Sequence, residues 1–161
     1  MSLLERLSMR APGLRSASLF VPATDLSGDL HGLLNMGAPR VGFYQIDIEG
    51  HSVSSALSSF ALVSTLESYE QLPDRLVDPA GVVAELNARI LANQPFMPSC
   101  TIVLGWVDVN SGEGRFCQAG HPHPVLRAPG RVQALGDGGL PVGLLPQAPY
   151  QNVDFRLQPG E

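Results

Sequence analysis

The sequence contains no lysine, and its ten basic residues are all arginine. The 15 acidic residues outnumber them, which gives a formal net charge of −5 at pH 7. The arginines are scattered along the chain, without a basic cluster and without alternation of arginine with aromatic residues. Because binding to phosphate backbones needs concentrated positive charge, this pattern argues against a nucleic-acid partner.

Long hydrophobic runs are also absent. No stretch approaches the roughly 18 consecutive apolar residues of a transmembrane helix, so we expect no membrane span. Residues 1–6 lack the pattern of a secretory signal, which favours a cytoplasmic location. The only two cysteines, Cys100 and Cys117, lie far apart in strand-like segments. We predict two buried free thiols in a reducing compartment rather than a disulfide or a zinc site.

The length of 161 residues suits one domain with a sizeable core, and no repeat, linker or low-complexity tract divides it. We therefore predict a single domain over residues 1–161. A strand is predicted at residues 17–23, and residues 30–35 are compatible with a strand or a loop. The continuous apolar character of residues 40–47 predicts a strand that is buried on both faces.

Two helices are predicted next. From Ser52 onwards, small and apolar residues recur at helical spacing, which indicates a helix packed closely on a sheet. Asp78 and Pro79 predict the start of a second helix, with Asp78 as the N-cap and Pro79 at the first helical position. The charged residues 67–75 end the first helix or bridge to the second. The apolar positions of the first helix are Val53, Ala56, Leu57, Phe60, Ala61, Val63 and Leu66.

The last third of the chain has the pattern of strands. Strands are predicted at residues 100–109 and 115–119, joined by a loop of turn residues, and at residues 152–157. Between them, residues 125–128 and 131–135 form a predicted hairpin. An order of strands, then two helices, then hairpin strands is typical of an α+β fold in which helices pack on antiparallel sheets.

Two acidic residues follow strand-like or turn-like segments in similar settings. Asp47 ends an apolar run and begins the sequence Asp-Ile-Glu-Gly-His-Ser, residues 47–52. Asp29 lies 18 positions upstream and directly follows Gly28. A carboxylate at the end of a buried strand, beside an irregular turn, is a common ligand of hard divalent cations. The pair therefore indicates a metal site, and such a site suggests hydrolysis.

Six short motifs follow one another in order along the chain. They are Pro22-Ala23 with Ser27-Gly28-Asp29; residues 47–52; Leu86-Asn87; the Thr-containing strand and hairpin at residues 101–112; Ala119-Gly120-His121-Pro122; and the Gly-Leu-Pro-x-Gly-Leu-Leu segment at residues 139–145. Each motif is short, but together, from about residue 11 to the end, they make the chain resemble a known family. That family is the bacterial SpoIIE-type serine/threonine phosphatases, a branch of the metal-dependent PPM-type phosphatase superfamily.

The resemblance implies a sandwich of two antiparallel β-sheets flanked by α-helices, with a two-metal site for Mn²⁺ or Mg²⁺ between the sheets. Asp29 and Asp47 would be carboxylate ligands and the catalytic residues, and the main-chain carbonyl of Ile48 would be a further ligand. Cations held in this way lower the pKa of bound water and polarise phosphoryl oxygens. The implied substrate is phosphoserine or phosphothreonine in a phosphorylated regulatory protein, such as an anti-sigma-factor antagonist. The resemblance leaves a homodimer open.

The chain departs from the family pattern at several positions. Gly32 stands where many members have a second aspartate, and Glu49 and Ser52 replace the Ser and the last Gly of the second motif. Glu49 would place an extra carboxylate beside the metal, unless it is a solvated loop residue. The chain reaches residues 158–161 without the family's Thr-Asp-Gly motif, and Asp137 is expected in a turn instead. We expect the C-terminal output domain of a longer signalling protein, truncated before its last strands, with weakened metal binding.

Each candidate residue also has a structural interpretation. Asp47 could end its strand and cap the next helix, and Asp29 could be a turn residue. His51 and His121 have no partners at zinc-ligand spacing and are expected to hydrogen-bond to loops. Two functional classes remain: an active phosphoprotein phosphatase, and a pseudophosphatase that uses the fold to bind a regulatory partner. A hydrolase of small phosphate esters is a weaker third class.

Overall fold

The computed structural model describes residues 13–20, 28–50, 53–94 and 97–160, and within them two strands, three α-helices and five further strands follow one another. A short 3₁₀ helix, Tyr69–Gln71, links the first two helices. The elements are β1 (Leu30–Asn35), β2 (Arg40–Ile48), α1 (Val53–Ser68), α2 (Pro73–Leu76), α3 (Pro79–Ala92), β3 (Cys100–Asp108), β4 (Glu113–Ala119), β5 (Val125–Ala128), β6 (Arg131–Ala134) and β7 (Asn152–Arg156).

The strands form two antiparallel sheets. Five of them lie side by side in the order β1-β2-β3-β4-β7, and β5 pairs with β6 in a separate two-stranded sheet. The register places Gly32 opposite Tyr44, and Tyr44 opposite Leu104. This arrangement confirms the predicted α+β class, with antiparallel sheets and flanking helices.

Helices cover one face of the five-stranded sheet. Because side chains alternate along a strand, Tyr44, Ile46 and Ile48 of β2 share this face and join the buried core. Leu66 of α1 and Leu86 of α3 belong to the same core and are almost fully buried. The opposite face is less filled, and the β5–β6 sheet lies over part of it. An apolar cavity of about 280 Å³ remains there, lined by residues that include Phe43, Val107, Phe116, Leu126 and Phe155.

Two predictions on the strands need correction. The strand predicted at residues 17–23 is wrong for residues 17–20, which have no regular secondary structure, and residues 21–23 lie outside the described residues. Burial of β2 on both faces is also wrong near its end, where Gln45 and Asp47 are exposed. Their side chains point away from the helices, onto the part of the sheet that opens to solvent.

The helix predictions are right in position but not in every side chain. Phe60 is 66% exposed, although it was assigned to the apolar stripe of α1. Leu66 is buried as predicted, and Leu62, which was not in the predicted stripe, is buried with it. Phe60 is two positions from Leu62 and therefore points to the opposite side of the helix. The second predicted helix is α3, and it begins at Pro79 as predicted. The side chain of Asp78 makes no cap hydrogen bond to the helix and accepts one from Asn152 at 2.7 Å instead.

The two cysteines are free and buried. Burial raises the pKa of the Cys100 thiol to about 12, with the charge of Asp47 as a smaller cause. Burial likewise raises the pKa of Cys117 to about 12. Since the thiolate is the reactive form, both residues are chemically inert core residues at neutral pH. No helix in the described part of the chain is long and apolar enough to cross a bilayer.

A buried amide fastens α3 to the long loop that precedes β7. Asn87 is 3% exposed, and its Nδ2 donates to the carbonyl of Leu145 at 2.9 Å. Its Oδ1 accepts from the main-chain N–H of Gly143 at 2.7 Å and from the Tyr150 hydroxyl at 3.2 Å. Gln94 adds a bond to the carbonyl of Gly143 at 2.8 Å. The Leu-Asn motif therefore has a structural role, which is to hold this loop against the helix.

Replacement of Asn87 by Ala should lower the free energy of unfolding by about 2–4 kcal/mol, because buried main-chain groups lose their partners. Urea unfolding followed by the fluorescence of Trp106, the single tryptophan, measures this change. Asn93→Ala is the matched control, since Asn93 is exposed at the end of the same helix. That control loses one exposed hydrogen bond, to the carbonyl of Arg89 at 2.6 Å, and should cost no more than about 1 kcal/mol. Equal losses in the two variants would contradict the role assigned to Asn87.

Candidate metal centre

Asp29 and Asp47 lie side by side where β1 begins and β2 ends. The register pairs Leu30 with Ile46, so the next step along both strands sets Asp29 opposite Asp47. A hydrogen bond and a charge interaction join the two carboxyl groups. Both residues are exposed, on the face of the sheet away from the helices. The structure thus brings together the two acidic residues that the sequence singled out.

The pair is electrostatically unfavourable when both groups are charged. Partial burial raises the pKa of Asp47 most, and the charge of Asp29 and a hydrogen bond from it raise this pKa further. Two neighbouring carboxylates resist simultaneous ionisation in this way. A cation placed between them would remove the repulsion, which is one property expected of a metal-binding pair.

Main-chain oxygens converge on the same place. A Cβ atom at position 28 would stand 2.7 Å from the carbonyl oxygen of Ile48 and 3.2 Å from that of Gly50. The residue before Asp29 must therefore be glycine, since any side chain would occupy the space in front of these oxygens. The oxygens of Ile48 and Gly50 consequently lie beside the backbone that carries Asp29.

This set of donors fits one hard divalent cation. Carboxylate and carbonyl oxygens are the ligands that Mg²⁺, Mn²⁺ and Ca²⁺ take in proteins. Within residues 13–20, 28–50, 53–94 and 97–160, however, no three His, Cys, Asp or Glu side chains come together as a metal-binding group. The described residues therefore supply the ligands for one cation more readily than for two.

A threonine and a histidine extend the acidic row across the sheet. Thr101 is the β3 partner of Asp47, and its Oγ1 lies 2.8 Å from Nδ1 of His121. His121 is 9% exposed, and Gln118 donates to its carbonyl at 2.6 Å. Burial lowers the pKa of His121, and the charge of Asp29 opposes this effect in part. Above its ordinary pKa the imidazole is therefore neutral, and it would not repel a cation.

The histidine contact was not anticipated from the sequence. His121 was expected to hydrogen-bond to a loop, whereas its side chain meets Thr101 on a strand. The available signal was the polar Thr101 at the start of an otherwise apolar strand, opposite the acidic end of β2. His51 and Ser52 lie outside the described residues, as do Pro22, Ala23 and Ser27 of the first motif.

The extra carboxylate expected beside the metal, that of Glu49, has a hydrogen-bond partner in Ser99. Ser99 donates to Oε2 of Glu49 at 2.6 Å, and Glu49 joins no metal-binding group of side chains within the described ranges. Gly32 cannot be replaced by aspartate without displacing Tyr44, because a Cβ at position 32 would lie 2.6 Å from the tyrosine hydroxyl. Asp137 lies in the loop after β6, away from the pair.

A cavity of about 510 Å³ adjoins the acidic row. His31 and Gln45 line this cavity. They are cross-strand partners next to the Leu30–Ile46 pair, and they lie on the same face of the sheet as the two aspartates. Val103, opposite Gln45, and His121 complete this side of the cavity. The Nε2 atom of His31 is buried and has no hydrogen-bond partner in the described part of the chain. The site therefore has space beside it for part of a ligand.

Comparison with known proteins gives a match in sequence. The family model described as Stage II sporulation protein E (SpoIIE) matches residues 37–161, a range that includes Asp47 and begins after Asp29. Phosphoserine phosphatase RsbP of Bacillus subtilis (strain 168) is 25% identical over 140 residues, which are 84% of this chain and 34% of RsbP. The chain thus spans about a third of the length of that relative.

Solved structures give the same result for the fold. The PP2C phosphatase domain of SpoIIE from Bacillus subtilis, with a fragment of its regulatory domain, superposes with a TM-score of 0.68 at 19% identity over 83% of this chain and 39% of that chain. The RsbU and RsbW domains of Rv1364c from Mycobacterium tuberculosis give 0.66 at 27% identity, over 86% and 38%. RsbX in complex with magnesium gives 0.67 at 14% identity, over 84% and 63%.

The family model covers well over half of the residues, and each of the structural matches covers more than four fifths of the chain. The chain therefore belongs to the SpoIIE family and has the fold of a PP2C-type phosphatase domain.

Proposed function

We propose that this domain is a metal-dependent phosphoserine/phosphothreonine protein phosphatase of bacterial signal transduction. Asp29, Asp47 and the carbonyl of Ile48 hold Mn²⁺ or Mg²⁺. The observation that carries the proposal is the lateral pairing of Asp29 with Asp47, with carbonyl oxygens beside it and no bulk at Gly28. RsbP, a phosphoserine phosphatase, supports the reaction, and RsbX, solved in complex with magnesium, supports the type of ion.

The chemistry is hydrolysis of a phosphate monoester. A divalent cation at this site supplies Lewis acidity, which activates water and polarises the phosphoryl group. Asp29 and Asp47 provide the negative charge that holds the cation, and their exposure leaves the site open to a phosphate on another protein. Thr101 fixes the neutral imidazole of His121 at the edge of the row. None of the described residues has to act as a nucleophile.

The accessibility of the site and the family support a proposal for the substrate class. An exposed site where β1 begins and β2 ends suits a phosphorylated side chain on a folded protein, and the adjoining cavity gives room for neighbouring groups of that substrate. We propose a phosphorylated cytoplasmic regulator, such as an anti-sigma-factor antagonist. The scattered arginines and the net charge of −5 disfavour nucleic acid as a partner.

A second candidate function is a pseudophosphatase that binds a regulatory partner without turnover. It is favoured by the lack of a third acidic side chain in the site within the described residues, since fewer charged ligands weaken the binding of a divalent cation. It is also favoured by Gly32, which stands where many members of the family have a second aspartate. The two candidates differ in whether the site turns over a phosphate ester.

Replacing Asp47 by Asn should reduce Mn²⁺-dependent hydrolysis of a phosphoserine peptide by roughly a hundredfold or more, because one of two charged ligands is lost. Asp137→Asn is the matched control, with the same chemical change in a loop outside the pair, and it should keep the activity of the unaltered protein. Phosphate release with and without Mn²⁺ measures both. Equal rates in the two variants would refute the role of Asp47. Binding of the phosphopeptide without release by the unaltered protein would favour the second candidate.

The metal-free protein should become more stable at neutral pH when Asp47 is changed to Asn. The folded-state pKa of Asp47 is raised, so its favourable contribution is present below the unfolded pKa of about 3.9 and is lost as the pH rises through the folded value. Asn mimics the protonated form at every pH. Thermal unfolding in EDTA at pH 4 and pH 7 should show the stabilisation mainly at pH 7.

Asp154→Asn is a control for which the expected change in stability at pH 7 has the opposite sign. A hydrogen bond from Arg115 lowers the pKa of Asp154, so its contribution is present above the unfolded pKa and is lost as the pH falls through the folded value. This variant should be slightly destabilised at pH 7 and unchanged at low pH. A melting temperature for Asp47→Asn below that of the unaltered protein at pH 7 would show that the acidic pair is not strained.

A further inference from the structure

One residue of the turn after β2 is fastened twice to the segment before β3. The main-chain N–H of Glu49 donates to the carbonyl of Ser99 at 3.1 Å, and the Ser99 hydroxyl donates to Oε2 of Glu49 at 2.6 Å. A hydroxyl that donates to a carboxylate makes a short and comparatively strong hydrogen bond. Glu49 and Ser99 are 50 residues apart, so this pair closes the turn through tertiary structure.

The residues on either side of Glu49 carry the two carbonyl oxygens that face Gly28. Ile48 precedes it and Gly50 follows it, and the site proposed above uses the carbonyl of Ile48. Gly50 has φ of 97°, a conformation that glycine leaves easily for others. The main-chain bond of Glu49 restrains the peptide plane that carries the Ile48 oxygen, and the side-chain bond adds a second restraint on the turn. Without this second restraint, the peptide planes around Glu49 could rotate more freely and turn their oxygens away from Asp29.

The anchor of the tether is itself rigid. Ser99 adjoins Cys100, which is the β3 partner of Ile48. Cys100 also exchanges two main-chain hydrogen bonds with Val142, at 3.0 and 2.8 Å. Val142 is fully buried and adjoins Gly143, which Asn87 holds. The turn is therefore connected to a continuous network of hydrogen bonds that reaches α3.

We propose that Glu49 is a positioning residue of the metal site. Its carboxylate contacts Ser99 and not the cation, and it holds the turn closed so that the Ile48 carbonyl stays directed at the site. The inference rests on the proposed function, because it assumes that a cation is held there. It assigns to Glu49 a role as hydrogen-bond acceptor, in place of the extra ligand charge that its position beside Asp47 suggests.

The two roles differ in what they require of the side chain. An acceptor for Ser99 needs an oxygen at the right distance, which Gln also provides, whereas a ligand role needs the negative charge. Mn²⁺ affinity, measured by calorimetry, should therefore be retained in Glu49→Gln. It should fall by roughly 10- to 100-fold in Glu49→Ala and in Ser99→Ala, as it does when groups that orient a ligand are removed. The double variant Glu49→Ala/Ser99→Ala should be no weaker than either single variant, because both remove the same bond.

The alternatives give different results in the same titrations. Loss of affinity in Glu49→Gln equal to that in Glu49→Ala would show that Glu49 acts by its charge, and would overturn the proposal. Unchanged affinity in all variants would show a solvated residue, and would also overturn it. If Ser99→Ala kept its affinity for Mn²⁺ while Glu49→Ala lost it, the hydrogen bond would not be the cause of the loss, and the proposal would be overturned.

A second measurement uses the metal-free protein and separates this inference from the proposed function. The main-chain amide hydrogen of residue 49 should exchange faster in Glu49→Ala and in Ser99→Ala than in the unaltered protein. In Glu49→Gln its exchange should remain slow. If the unaltered protein bound no Mn²⁺, the proposed function would fail. The exchange rates would then decide alone whether the pair closes the turn, with unchanged rates overturning the inference.

Discussion

The candidate site depends on one enforced contact, the approach of the Asp29 and Asp47 carboxylates across neighbouring strands. Two neighbouring carboxylates repel each other when both are ionised. The register between β1 and β2 keeps them together, and that register is set by the burial of Leu34, Tyr44 and Ile46 on the helix-covered face. A slip of one residue would turn this set of apolar side chains to the solvent face. Core packing on one side of the sheet therefore sets the charge density on the other.

The surroundings of the pair are suited to an added positive charge. Gly28 leaves the carbonyls of Ile48 and Gly50 unobstructed, and Thr101 is small and uncharged. His121 would be repulsive if it were protonated, but burial favours its neutral form. The fold thus places acidic groups together while keeping cationic side chains out of the described part of the row. This division of charge leaves the repulsion within the carboxylate pair to be relieved by a cation from outside the chain.

Much of this arrangement could be predicted from the sequence, because it depends on local patterns. The strand β2, the start of α3 at Pro79 and the β5–β6 hairpin follow from periodicity and turn residues, and both aspartates were identified from their position at strand ends. The errors concern partners that are distant in sequence. No local pattern indicates that Phe60 is exposed. Nor does any local pattern indicate that Ser99, 50 residues away in sequence, donates a hydrogen bond to the carboxylate of Glu49. The contact between Thr101 and His121 likewise depends on how β3 and the loop after β4 meet.

The two departures at Gly32 and Glu49 bear on this site in different ways. Position 32 lies beside Tyr44 on the helix-covered face, whereas Asp29 and Asp47 lie on the opposite face. At position 49 an acidic side chain is present, and it accepts a hydrogen bond from Ser99. In the proposed site, which has only two carboxylates among the described residues, neutral carbonyl oxygens would contribute a larger share of the binding free energy. Carbonyl dipoles act only over short distances and in defined directions, so a site of this kind relies more on a rigid turn than one with additional carboxylates would.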